Sequence, residues 1–253
     1  MNAKDDKTDG LARSAAMLWG EAAPGRRGPK PALSLDAIAR AAADVADAEG
    51  LAAVSMQRVA KELGYTTMSL YTYVPSKDLL VEAMVDIATG PPPPWADAPN
   101  GWRPQLLRWT TDLWHVFARH PWGLQATLIG PPLGPNQLAW FERLLSTLSR
   151  SGLSTADVSS TAMFVLASVR GLAKIALDVY PAASPAEVAA ANAEYSKVLH
   201  DVAERGGLSA VAAFAATPPP EADTDAGLPH DLAFGMNLLL DGIEGRVERH
   251  RKT

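Results

Sequence analysis

Residues 55–77 read SMQRVAKELGYTTMSLYTYVPSK, and the rest of the chain takes its meaning from them. Met56, Val59, Ala60 and Leu63 recur at the spacing of a short helix, Ser55 to Leu63. Gly64 ends it, since glycine leaves a helix through a left-handed position at no steric cost. A second short helix begins near Thr67, with Leu70 and Val74 inward and Ser69, Tyr71 and Tyr73 on other faces. Pro75-Ser76 stops it, and Ser76 caps the helix that follows. Two short helices across a glycine turn are the sequence form of a helix-turn-helix. In that motif the second helix leads with its N-terminal residues into a DNA major groove.

The flanking residues support this. Ser34 caps a preceding helix with Asp36 in its first turn, Leu35, Ile38, Ala42 and Val45 form its stripe, and Glu49-Gly50 closes it. A following helix, Ser76 to about Thr89, has a wide stripe through Leu79, Leu80, Ala83, Met84 and Ile87, enough to touch two neighbouring units. The block Leu35 to Ala88 resembles the DNA-binding domain of the tetracycline-repressor (TetR/AcrR) family. The resemblance rests on Glu49-Gly50, Val59-Ala60, Leu63-Gly64, Ser69-Leu70-Tyr71 with Val74, and Ser76 to Leu80. Val74 departs from the phenylalanine of many members. The resemblance implies a dimeric, cytoplasmic regulator with DNA-binding helices first and a helical ligand-binding and dimerisation domain after them.

Composition agrees without requiring it. Net charge is -5, so the whole chain is not basic. Locally, residues 55–77 hold Arg58, Lys61 and Lys77 against Glu62, and Arg26, Arg27 and Lys30 precede them with no acid between. The absence of cysteine excludes disulfides and thiolate metal sites. No signal peptide is expected in MNAKDDKTDG. No membrane span is expected either, because Arg170, Lys174 and Asp178 interrupt the most apolar segment.

The fold expected is all-α. Residues 1–33 read as a mostly unstructured arm with a basic end, 34–90 as the helix-turn-helix domain and 91–253 as the helical ligand-binding and dimerisation domain. Four prolines, Pro91 to Pro94, mark the boundary. Beyond it helices are expected over Trp102 to Arg119, Pro121 to Ile129 in short form, Gln137 to Arg150, Val158 to Tyr180, Pro185 to about Glu204, Leu208 to Ala216, and from Pro229 onward. Residues 217–227 read as an acidic, proline-rich loop.

Affinity for DNA comes largely from phosphate contacts and specificity from base edges. Arg27 and Lys30 are candidates for an arm on phosphate or in a minor groove. Of Thr66 and Thr67, one can cap the recognition helix and the other can present its hydroxyl. Met68 can meet a thymine methyl, and Ser69 can serve donors or acceptors. Tyr71 and Tyr73 exceed what a short helix needs for its core. Lys77 stands at a helix N-terminus, an unfavourable place for a cation unless a phosphate is bound there. The resemblance also puts a phosphate-binding lysine at Lys77, and Ser55 and Gln57 are placed likewise.

One such motif reads few base pairs, so a homodimer on a palindromic operator is expected. Its interface is expected on the long helix and the last helix, through Val158, Ala162, Val165, Val169, Leu232, Met236, Leu239 and Ile243. Six of seven tryptophans lie between Trp95 and Trp140. The resemblance implies a cavity there for an apolar or aromatic effector, with Trp109, Leu113, Trp114, Phe117, Phe141 and Met163 as walls and Arg170, Lys174, Asn192 and Tyr195 as polar contacts. No cofactor and no metal site are expected: His115 and His120 are spaced five apart, off a common helical face. The function expected is a ligand-released repressor. The alternatives are an activator of the same fold, or a helical enzyme or adaptor.

Overall fold

The computed structural model describes residues 3–20, 33–95, 101–126, 132–179, 185–217 and 228–251. Among these, twelve α-helices and one 3-10 turn occur and no strand does.

The first helix corrects an expectation. Residues 3–18, read as unstructured, form α1 (Ala3–Leu18). Mixed charge does not prevent helix where proline is absent and the second half, LARSAAML, is rich in alanine and leucine. Met17 and Leu18 pack on the core that follows, and the Trp19 indole donates to the Leu133 carbonyl at 2.9 Å. Arg26, Arg27 and Lys30 lie outside the described residues.

Next come α2 (Leu35–Glu49), the 3-10 turn Leu51–Ala53, α3 (Met56–Leu63), α4 (Thr67–Tyr71) and α5 (Lys77–Thr89). Each of the α-helices is capped by its preceding residue. Ser34, Ser55 and Ser76 hydroxyls each accept a backbone N–H three residues on at 3.1 Å. Ile38, Ala42, Val59, Leu70, Val74, Leu80 and Met84 close one apolar core. Gly64 leaves α3 at φ 72. A Cβ there would meet nothing within 4 Å, so substitution acts through the backbone alone. Gly64→Ala is expected to cost about 1 kcal/mol of unfolding free energy. Chemical denaturation checks this, and an unchanged midpoint would contradict it.

The remaining helices are α6 (Trp102–Arg119), α7 (Trp122–Ala126), α8 (Pro135–Ser149), α9 (Thr155–Val179), α10 (Pro185–Arg205), α11 (Ser209–Ala216) and α12 (His230–Arg251). A second core forms from α6, α8, α9 and α12, with Leu106, Trp109, Leu144, Leu148 and Leu232 at its centre. The Trp109 indole donates to the Trp140 carbonyl at 3.0 Å, and the two rings meet edge-on.

Here the expected dimer residues are corrected. Val158, Ala162, Val165, Val169, Leu232, Met236 and Ile243 are buried in the chain's own second core, and Leu239 packs against it. A helix's strongest apolar stripe is taken first by its own subunit. The outward faces of the same helices carry Phe164, Phe234 and Leu238, all more than half exposed. The stretch Thr155–Leu177 is long and apolar enough to pass for a membrane span, with only 22% of it buried. One face of it is the core stripe just named.

Two clasps fasten the cores together. Asp47 of α2 accepts from the Trp122 indole at 2.6 Å and from His120 Nδ1 at 2.9 Å. Asp86 of α5, buried at 3% exposure, accepts from the Gln137 backbone N–H at 2.9 Å and from Asn136 Nδ2 at 3.0 Å. The carboxylate thus sits at the N-terminus of α8, where the helix dipole favours an anion. The Trp140 indole adds a bond to the Gly90 carbonyl at 2.9 Å.

Candidate functional site

Leu70 and Val74, fully buried, seat α4 on the first core and turn its other faces outward. Gln57, Met68, Tyr71 and Lys77 are exposed, and Ser55, Thr67 and Ser69 are half-buried. Met68 stands out furthest, at 76% exposure. Thr66 is the cap: its Oγ1 accepts from the Ser69 N–H at 3.2 Å and shares a hydrogen bond with Ser69 Oγ at 2.9 Å. The Thr66 and Ser69 hydroxyls therefore serve each other, while the Thr67 hydroxyl makes no hydrogen bond among the described residues. Tyr73 differs from Tyr71: it is half-buried and packs on the first core, so its ring serves the fold in part. Tyr65, in the turn after Gly64, is exposed and was not singled out by sequence. An aromatic in a glycine turn was the available signal.

The charge on this face differs from the sequence count. Arg58 bridges Glu49 and Glu62 at 2.6 Å each. These bonds raise its pKa and lower that of Glu49. Lys61 and Lys77 remain without an ion pair among the described residues, so they carry the positive field of this surface.

A second feature lies between α6, α8 and α9. An inner cavity of about 70 Å³ is walled by Trp109, Leu113, Phe117 and Phe141, with Arg170 at one side. It adjoins an outer compartment of about 450 Å³, open to solvent, where Met163 and Lys174 stand. Leu166 and Arg170 line both. Trp114 lines neither and packs half-buried against the second core. Asn192 and Tyr195 sit on α10, which packs chiefly on α11, and line neither compartment. Thr89, Gln137 and Trp140 also line the inner cavity and escaped sequence reading, because they come from α5 and α8 with no pattern linking them.

Among the described residues no cluster of three or more histidine, aspartate and glutamate side chains is placed to hold a metal. Asp112 accepts from Arg108 at 3.0 Å and from the Trp95 indole at 3.2 Å, and His120 is bound to Asp47.

Residues 32–84 match the family model described as bacterial regulatory proteins, tetR family, and residues 94–247 match that of the tetracyclin repressor-like C-terminal domain. The chain is 34% identical over 242 residues to the HTH-type transcriptional repressor DrrR1 of Streptomyces coeruleorubidus, covering 95% of this chain and 88% of that one. Its fold resembles apo ActR of Streptomyces coelicolor, with TM-score 0.71, 22% identity, and coverage of 88% and 100% of the two chains. ActR in complex with actinorhodin gives TM-score 0.67 at 23% identity, covering 87% and 99%.

Proposed function

Because the chain belongs to the tetracycline-repressor family of DNA-binding transcription regulators, we propose that it represses transcription as a homodimer on a palindromic operator and leaves that operator when a small molecule enters the cavity between α6, α8 and α9. Residues 34–90 bind DNA, residues 91–253 bind the effector and the second subunit, and Arg27 and Lys30 add phosphate contacts from the arm. The observation that carries this reading is the exposure of Gln57, Met68, Tyr71 and Lys77 on and around α4 while Leu70 and Val74 anchor that helix. That the Streptomyces coeruleorubidus relative is a repressor supports the sign of regulation. Dimerisation uses the outward apolar faces of α9 and α12, since 22% burial of Thr155–Leu177 leaves a second face for a partner. Operator binding places the protein in the cytoplasm, and catalysis forms no part of the function.

The mechanism is a population shift. An effector releases DNA only by binding the released state more tightly than the DNA-bound one. α5 is the lever, because it starts at Lys77 on the DNA face and reaches Thr89 in the inner cavity.

Selection of bound fragments from the host genome, followed by gel shift, tests the reading. Binding should weaken steeply with salt, with a log–log slope near -0.9 per phosphate contact. Leu166→Trp, which fills the seam of the two compartments, should abolish the ligand response and leave operator affinity intact. Joint loss of both would argue against separate units, and no specific DNA binding in any ligand state would refute the reading.

A further inference from the structure

Four arginines are half-buried among the described residues: Arg58, Arg103, Arg143 and Arg170. Three are engaged. Arg58 bridges two glutamates, Arg103 pairs with Asp241 at 2.6 Å and Glu244 at 3.0 Å, and Arg143 bonds the Pro93 carbonyl and stacks on Trp95. Arg170 has no hydrogen bond and no ion pair among the described residues. It stands at the seam of the inner and outer compartments. Neither compartment is lined by a single carboxylate, although the whole chain is acidic. A guanidinium partly withdrawn from water without a partner carries a desolvation cost and does not escape it by deprotonating. Burial lowers the Arg170 pKa, in accord with this.

The surroundings define the complement. The inner walls are the aromatic rings of Trp109, Phe117, Trp140 and Phe141. At about 70 Å³ the inner cavity holds little more than two waters, at roughly 30 Å³ each. The outer compartment, about 450 Å³, falls within the range of small-molecule sites, roughly 300–1,000 Å³.

We propose that the effector is a planar aromatic anion whose carboxylate or ionised phenol pairs with Arg170 at the seam. Its ring system lies in the outer compartment and inserts one edge between the inner aromatic walls. This rests on the effector reading of the cavity. Planar, two-point recognition of an acid is what a guanidinium does best. Entry of a ring edge spreads Gln137 and Trp140, which hold α5 through Asp86 and Gly90.

The test uses the purified full-length protein and carboxylates of naphthalene, anthracene and anthraquinone, each against its neutral carboxamide, by calorimetric titration. The acids that bind should do so at least tenfold more tightly than their amides. Arg170→Met should remove that difference by weakening the acids and sparing the amides, and Arg170→Lys should restore part of it. The melting temperature of Arg170→Met should equal or exceed that of the parent, because no partner is lost. Equal affinities of acids and amides, or acid binding indifferent to Arg170→Met, would overturn the charge assignment. The effector cavity itself would then stand if Leu166→Trp still blocked both series. No binding by either series at any ring number would overturn the cavity reading, and this inference with it.

Discussion

Replacing Tyr71 and Lys77 together by alanine is expected to weaken operator binding roughly a thousandfold while leaving the fold intact. Both side chains are exposed and neither holds up a core: the anchors of α4 are Leu70 and Val74. Each lost contact is worth about 1 kcal/mol. Two contacts in each subunit of a dimer sum to about 4 kcal/mol, and about 1.4 kcal/mol is tenfold. Lys77→Ala alone should also make the salt dependence shallower, by about one phosphate per subunit, and weaken all sequences alike. Thr66→Ala should act differently. It removes the cap of α4 and frees the Ser69 hydroxyl, so its effect should appear in thermal stability as well as in binding. Gel shift at several salt concentrations, with circular dichroism as the control for folding, measures these. Undiminished operator binding by the double variant would place the DNA surface elsewhere.

The second large effect is expected at Asp86. Asp86→Ala leaves the half-buried Gln137 N–H without its acceptor and takes one of two acceptors from the Asn136 amide, which keeps the Asp86 backbone carbonyl at 3.1 Å, and an unmet buried donor costs about 1–3 kcal/mol. Loss of about 1–3 kcal/mol of unfolding free energy should follow. The coupling should suffer too, because Gln137 and Trp140 line the inner cavity on the helix that Asp86 holds. The variant should bind operator but respond weakly to effector. Asp86→Asn keeps an acceptor for the Gln137 N–H and should lose less of both. Gly134→Ala should mimic the damage, since its Cβ would fall inside contact distance of the Asp86 carboxylate.

The same residue sets a pH dependence. Burial pushes the Asp86 carboxyl above its ordinary value of 3.8, and the bonds from Gln137 and Asn136 pull it back only in part. The folded chain therefore holds this proton more tightly than the unfolded chain. The resulting stability is complete below the unfolded value and is lost as pH rises through the folded one. Asp86→Asn should flatten that acid-range slope in urea denaturation. An unchanged slope would assign it to other carboxylates.

The helix-turn-helix was readable because its rules are local. Caps at Ser34, Ser55 and Ser76, the left-handed exit at Gly64 and the inward spacing of Leu70 and Val74 all act within a few residues. Helix extents beyond it were readable for the same reason, from apolar periodicity and from proline and glycine at the ends. The division of labour along one apolar helix was not. Val165 and Phe164 are adjacent and both apolar, yet one is buried and the other 59% exposed. Only the position of α9 among α6, α8 and α12 distinguishes them.

By itself, then, the sequence determined that the chain is all-α, where its recognition helix begins, and which polar residues lead it. Those properties follow from short-range backbone geometry and from side chains three or four apart. Tertiary structure alone decided that Arg58 is spent on Glu49 and Glu62, and that Thr66 and Ser69 bond each other. It decided that the stripe through Val158 and Ile243 faces inward, and that Asp86 meets Asn136 fifty residues away. It also decided that Arg170 comes to rest beside an aromatic cavity with no counter-ion among the described residues. Each depends on which helix faces which at close range, and pairing and burial over such distances are set by packing, not by pattern.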